Sequence, residues 1–530
     1  MKTRGLFLSA LMMGAVMVGC SNEEVVENKF QTPDGNEYFM AVNFFGSGAG
    51  SRAAEDYAAA EGDEATVNNA VFYFLDENGN SCADPYPHGA LTLNESTHHT
   101  DSDDKESTPI IVMKNPTATP ASIVVLLNVP KDFVAANYTS LSALQGIAGD
   151  YVGNGTGFVM SNSVYADASN NVIIGAPVSA ENIYETKEDL QVGLENNSAT
   201  AVPVHVERVL AKVKVVNNVA AEDVSETTID LTSATEDGQT ATTEDVAIKV
   251  TIDGWWLDNA KDQSYMVKNL NPSVFDATAT WWNDAANLRS YWAESYASAN
   301  LENGSWDSHV TTDIYCHENT GENPTQLVVA ATLSVGEDEG TTLVRWRNTY
   351  YTEEGFKIAY LNYFLSTNKY YYKTSEDGAE EETYETITTD MLSFAFNTNE
   401  DEDVTAKDYE AIVTLNTEET IYTVTGETAT EVSAETVNEA LGSATVKYWN
   451  GGKTYYYVPI NHLAASGENA IVRNHVYTLN LNSVAGLGTP VANPEKVIIP
   501  TKVEDDTLSY ITASVYVLKW RTVSQEVALN

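Results

Sequence analysis

The chain reads as an all-β protein, two β-sandwich domains within 530 residues. Three features predict this. Short apolar or alternating stretches recur along the chain, polar turns rich in Gly, Asn and Asp separate them, and helical periodicity is almost absent. With 43% hydrophobic residues and 29 tyrosines, a chain this long can bury two cores and at most three.

Taken in order, Lys2 and Arg4 precede an apolar run from Leu6 to Val18, which ends at Gly19 and Cys20. The run is short for a membrane span and has the layout of a secretory signal, so residues 1–19 are expected to be a signal peptide. Residues 21–36 read as a polar linker. Glu37 to Phe45, EYFMAVNFF, is a dense apolar strand that places Tyr38, Met40, Val42 and Phe44 on one face. A Gly/Ser/Ala-rich loop follows, GSGAGSRAAEDYAAAEGDE, with the single basic residue Arg52. Small residues around one arginine suit an arginine-specific protease, which must draw its target into an extended form.

From Val67 the pattern is strand and turn. Val71 to Leu75 leads into DENGN, then come Ile110 to Met113 and Ile123 to Val129, closed by Pro130. The run SIVVLLNV is continuously apolar, as a strand covered on both faces would be. One short helix is expected at Ser140 to Ile147, with Leu141, Leu144 and Ile147 on one side. Gly157 to Tyr165 and Val202 to Val216 read as strands. The acidic, Thr-rich stretch 218–245 suits an interdomain connection or a surface hairpin. A division into domains 53–222 and 223–508 follows.

The second half restarts with IKVTIDGWWLDNAKDQSYMVKNL and an irregular aromatic region around Trp281, Trp282, Tyr291 and Trp292. DIYCHENT, QLVVAATLSV and FKIAYLNYFLS continue a pattern read as strands and turns. Asn450-Gly451-Gly452-Lys453 lies between apolar-aromatic runs and carries a hairpin signal. In the last stretch, Ser509 to Asn530, Ile511, Ala513, Val515 and Val517 alternate with polar residues, and Val523, Val527 and Leu529 form a second set. No terminal Gly, Pro or charge run blunts it. It is either the last strand of its own sheet or a strand built to pair elsewhere.

The chain has 76 acidic against 28 basic residues and a net charge of -48, which argues against nucleic acid or anionic lipid as a partner. Carboxylate pairs are inevitable in such a composition and carry no catalytic signal. His98 and His99 near Asp101, Asp103 and Asp104 fit a solvated loop better than a cation site, and no zinc spacing occurs. GNGTG at 153–157 lacks the Lys-Ser/Thr of a phosphate loop. Clustered Trp and Tyr read as core, with a carbohydrate platform as the sharper alternative. No catalytic group, metal site or cofactor is expected. Cys82 and Cys316 are either one disulfide or two separate buried thiols.

Several segments together resemble the fimbrillins, the Bacteroidales-type fimbrial subunits, and specifically the Mfa-type (short-fimbria) major subunit. They are the lipobox Met17-Val18-Gly19-Cys20, FVMSNSVY, VERVLAKVKV, GWWLDNAKDQSYMVKNL, LRSYWAESY, YCHENT, IVRNHVYTLNLNSVAGLGTPV and ITASVYVLKWRTVSQEVAL. The resemblance implies transthyretin-like β-sandwiches and a precursor lipidated at Cys20 and anchored in the outer membrane. It also implies cleavage by an arginine-specific protease at Arg52-Ala53, removing the propeptide 20–52 with its first strand. The groove so emptied would take the tail of a neighbour (509–530, anchored by Val523, Val527 and Leu529), giving a head-to-tail homopolymer. Accessory fimbrial proteins and host or bacterial receptors are the further partners implied, with an extracellular fimbrium as the mature location. An accessory or tip adhesin and a membrane-anchored glycan-binding lipoprotein are the alternatives.

Overall fold

The computed structural model describes residues 37–46, 57–58, 61–91, 109–163, 165–166, 172–219, 228–236, 238, 240–269, 304–320, 323–376, 380–396, 407–442, 445–463, 468–496 and 510–520. Its strands that matter here begin with β1 (Tyr38–Gly46), β2 (Tyr57–Ala58), β3 (Ala70–Leu75), β4 (Tyr86–His88), β5 (Ile110–Met113), β6 (Ser122–Leu127), β7 (Met160–Asn162) and β8 (Val202–Arg208). Apart from β2 these form one sheet in the order β4-β3-β6-β7-β8-β1-β5. Alternation puts Phe72, Phe74, Ile123 and Val125 into one core with Ile111, Met113, Val202 and Val204. Val71, Tyr73, Val124 and Leu126 face a second core with Leu144, Tyr151 and Val472. The doubly covered strand expected at SIVVLLNV is therefore present, and β3 is buried along its whole length in the same way.

The second body begins one residue after the first sheet ends. β9 (Leu210–Asn217) follows β8 across Val209 alone, ahead of position 222. It is followed by β10 (Thr228–Ala234), β11 (Ala241–Asp258), β12 (Ile314–His317), β13 (Gln326–Val335), β14 (Leu343–Trp346), β15 (Thr349–Thr352), β16 (Leu392–Phe396) and β17 (Glu410–Leu415). β18 (Thr445–Trp449), β19 (Lys453–Pro459), β20 (His475–Ala485), β21 (Thr489–Pro490) and β22 (Tyr510–Trp520) complete it. One sheet runs β12-β9-β20-β22-β2 and a larger one β16-β17-β18-β14-β15-β10-β11-β13-β19-β21. They pack face to face around Val213, Tyr477, Leu479, Ile248, Leu327, Val329 and Tyr456. The all-β, multi-domain class read from the sequence holds.

Among the described residues four α-helices accompany the strands: α1 (Leu141–Gln145), α2 (Lys187–Glu195), α3 (Glu353–Thr367) and α4 (Ala434–Leu441). The first lies where helical spacing was read. α3 corrects the strand-like reading of FKIAYLNYFLS. Thr352 caps its first turn by accepting the Gly355 N–H, and Phe356, Tyr360 and Phe364 bury one face at fourfold spacing.

Two further expectations change. The acidic stretch resolves toward the surface hairpin, with β10 pairing β11 from Thr228↔Ala247 to Ala234↔Ala241. Asn450 to Lys453 does not close a hairpin, since β18 pairs with β14 and β17 while β19 pairs with β13 and β21. Gly451 and Gly452 both take positive φ, as a tight turn needs. The chain leaves that turn along a different part of the sheet.

Candidate functional site

β1 carries the residues singled out as a removable strand. Val42 to Gly46 pair in parallel with Val202 to Val206 of β8, and Tyr38 to Ala41 pair antiparallel with Ile110 to Met113 of β5. Phe39 exchanges both backbone hydrogen bonds with Tyr184, at 2.8 and 2.9 Å, and the Val42 N–H reaches the Pro109 carbonyl at 3.1 Å. Tyr38 is 4% exposed, and Met40, Val42 and Phe44 are fully buried. The Phe44 ring sits 6.0 Å from Phe72. Four such side chains represent roughly 6–12 kcal/mol of gross apolar burial. β1 is thus an interior strand with backbone partners on both sides. Among the described residues β5 has no ladder partner other than β1.

The opposite end of the loop that follows β1 is fixed by charge. Gly62–Ala65 form a short 3-10 helix capped by Glu61, whose N–H donates to the Glu64 carboxylate at 2.6 Å. That carboxylate, almost fully buried, also accepts from Lys212 Nζ at 3.0 Å and the Tyr315 hydroxyl at 2.7 Å. Lys212 further contacts Glu61 at 2.7 Å and Asp313 at 3.1 Å. Burial alone would lower the Lys212 pKa, but its three carboxylates more than reverse this and raise it. Glu61 is held below the usual carboxylate range, first by its hydrogen bond from Lys212. Arg208 is fully buried, and desolvation lowers it to about 9 against the opposing charge of Glu64.

A second buried charge group ties the bodies together. Arg473 donates to the Glu318 carboxylate from Nε (2.9 Å) and Nη2, and to the carbonyls of Tyr265 (2.7 Å) and Met266 (3.3 Å). Ser161 of β7 reaches the same Met266 carbonyl at 2.9 Å. Lys268 lies fully buried 3.9 Å from Glu207, and burial lowers its pKa. Sequence reasoning missed both groups. Their signal was available: Glu207, Arg208 and Lys212 stand inside an apolar strand run, where charges are buried only if paired.

Of the other expected site residues, Cys20, Arg52, Ala53, Val523, Val527 and Leu529 lie outside the described residues, as do His98 to Asp104 and Trp281 to Trp292. The first part of the tail is placed: β22 pairs antiparallel with β20 from Tyr510↔Ala485 to Lys519↔His475, and its end pairs with Tyr57 and Ala58. Tyr510 to Trp520 is therefore a strand of its own sheet, a correction to treating all of 509–530 as donor. Cys82 and Cys316 are separate buried thiols in different cores, each raised to about 12 by burial. Among the described residues no group of His, Cys, Asp and Glu is arranged to hold a metal ion. No helix among them is long and apolar enough to cross a membrane.

Residues 447–526, which span β19 to β22 and include Arg473 and the placed half of the tail, match the family described as "Major fimbrial subunit protein type IV, Fimbrillin, C-terminal". The likeness is to the C-terminal part of a fimbrillin. The matched family is described as a fimbrial subunit, which is a structural role. No curated protein matches the chain. Among solved structures, a Parabacteroides distasonis protein assigned to cell adhesion is 16% identical, with a TM-score of 0.41, covering 92% of this chain and 98% of that one. The tip fimbrial protein Mfa3 from Porphyromonas gingivalis, with a C-terminal truncation, is 12% identical at TM-score 0.30, covering 91% and 100%. A fimbrial assembly protein from Parabacteroides distasonis is 10% identical at TM-score 0.28, covering 58% and 85%.

Proposed function

We propose that this chain is a structural subunit of a surface fimbria that supports adhesion and polymerises by exchange of a donor strand after proteolysis. One observation supports it above the others. β1 is an interior strand that comes from the start of the described chain, and it is joined to the rest of its body through a Gly/Ser/Ala-rich segment containing Arg52.

A cut between Arg52 and Ala53 leaves β1 held by its ladders, by buried side chains such as Tyr38, Met40, Val42 and Phe44, and by the Glu37–Lys114 ion pair at its start. Its departure exposes an apolar groove with unpaired backbone groups along β8 and β5, and an incoming strand restores both. The neighbour's residues 521–530, with Val523, Val527 and Leu529, are the supplier in this reading. The donor replaces β1 in both ladders, so it runs parallel to β8 and antiparallel to β5. Donor and groove lie at different places on the subunit, so the contact is heterologous and the product an open filament. Uncut, β1 blocks the groove. The precursor is anchored through a lipid on Cys20, and the cut frees the mature subunit from it. Neighbouring subunits, accessory fimbrial proteins and an arginine-specific protease are its partners.

The test is the N-terminus of material sheared from cells, expected at Ala53, together with an Arg52→Ala chain. That variant is expected to stay monomeric when the protease is added. Filaments from the uncleavable chain would overturn the gating by β1.

A further inference from the structure

An unassigned feature sits at the tip of the β14–β15 hairpin, beside α3. The register Arg345↔Tyr350 and Trp346↔Thr349 leaves Arg347 and Asn348 as a two-residue loop. Arg347 has φ of 57°. Positive φ at the first central position of such a loop is where hairpins place glycine, because a β-carbon is strained there. Arg347 is exposed, so no core packing demands its side chain. Its guanidinium lies 4.4 Å from the Trp346 ring centre and 5.0 Å from that of Tyr363. The two rings are 5.3 Å apart at 64°. Trp346 is braced by Tyr360 of α3, edge to face at 5.4 Å. Tyr363 is 50% exposed, the one aromatic among the exposed large apolar side chains of the described residues. The nearby charges on α3, Lys357 with Glu353 and Glu354, pair among themselves.

We propose that Arg347, Trp346 and Tyr363 form a binding site for a carboxylate-bearing saccharide. A guanidinium held over an aromatic ring makes its attraction to the ring without using its N–H donors, so a planar carboxylate can accept two of them. The half-exposed Tyr363 ring supplies a surface for the apolar face of a sugar, and its hydroxyl a polar handle. The rigid backing of Trp346 by α3 fixes that corner before any ligand arrives. The net charge of -48 repels polyanions at long range, which favours a single acidic sugar on a short glycan. Glycine at position 347 would form the same turn without strain. Keeping a strained arginine is accounted for by what its side chain holds.

Binding of sialyllactose to the purified chain is measured by saturation-transfer NMR and calorimetry, with lactose as the neutral arm and an acidic peptide as the protein arm. Sialyllactose is expected to bind and lactose to bind roughly tenfold more weakly or not at all, as loss of one charge-assisted contact requires. Arg347→Gly relieves the strain, so it should raise the thermal midpoint while abolishing sialyllactose binding. Tyr363→Ala should weaken binding and leave the turn intact. No sialyllactose binding, binding unchanged in Arg347→Gly, or preference for the acidic peptide would each overturn the assignment. A lowered midpoint in Arg347→Gly would make the residue a fastener between hairpin and helix, and the strain argument would fall.

Discussion

Arg208 donates two hydrogen bonds to the Glu64 carbonyl, from Nε at 2.9 Å and Nη2 at 2.6 Å. Two residues earlier on the same strand, Val206 lies opposite Gly46 of β1. The segment from Gly46 to Glu64 thus leaves and rejoins the body beside one strand. In the proposed maturation, the chain after the cut stays fixed at Glu61 and Glu64. Replacing Glu64 by Gln takes one of three carboxylates from buried Lys212 and weakens the tie to Tyr315. The expected loss is about 2–4 kcal/mol in urea unfolding, near the lower end for breaking a buried pair. A loss below about 1 kcal/mol, the scale of a surface pair, would show that Glu61 and Asp313 suffice.

Phe44→Ala tests the strand itself. The side chain is fully buried against Phe72, so the uncut chain should lose about 3–5 kcal/mol, the usual cost of an aromatic-to-alanine cavity. Under the proposed function β1 is discarded, so polymers grown from this variant should match wild type in length and stability. Weakened mature filaments would mean that β1 remains in the fibre.

Strands such as SIVVLLNV were legible because burial on both faces leaves an uninterrupted apolar run. α3 was not. Its apolar residues Phe356, Ile358, Tyr360, Leu361 and Phe364 are aromatic or β-branched in large part, so strand propensity masked the helical spacing that Thr352 and two acidic residues begin. β1 and its inward residues could be read by alternation alone. A charge such as Lys212 inside an apolar strand signals a buried partner, but Glu64 and Tyr315 could not be named as its partners, because they lie far away in sequence and only the fold joins them. The tail's alternation marks a strand, but periodicity cannot say which sheet a strand joins, and Tyr510 to Lys519 pair within their own chain.

The crossover at Gly452 gives a paired test. A β-carbon there would lie 2.3 Å from the Leu333 carbonyl oxygen and 3.2 Å from Gly340, at φ of +71°. At Gly238, φ is +65° but no atom lies within 4 Å. Gly238→Ala should cost about 1 kcal/mol, from backbone strain alone. Gly452→Ala should cost at least about 3 kcal/mol, because the carbonyl it meets belongs to a central strand and cannot yield. Equal losses in thermal or urea unfolding would show that the turn can shift away from β13.

His317 gives the fold a pH dependence of known sign. Its Nε2 accepts the Tyr151 N–H at 3.0 Å, and Nδ1 lies 3.0 Å from the Lys261 carbonyl, so the proton belongs on Nδ1 and the ring is neutral. Burial lowers its pKa below the ordinary value. The Lys261 carbonyl, Asp150 and Glu318 oppose that shift, while Arg473 reinforces it. Above a pH of about 6.5 neither the folded nor the unfolded chain protonates this ring, and its contribution is constant. As pH falls further the unfolded chain takes up a proton that the folded one resists, so stability drops until the folded ring titrates in turn. The slope from one such group cannot exceed about 1.4 kcal/mol per pH unit. Glu61, held low by Lys212, acts in a separate window, since its stabilisation is lost only as pH falls below about 4.5. Urea midpoints between pH 7.5 and pH 5 should therefore fall in the native chain and fall less in His317→Asn, which cannot ionise. Parallel curves for the two chains would place the acid sensitivity elsewhere.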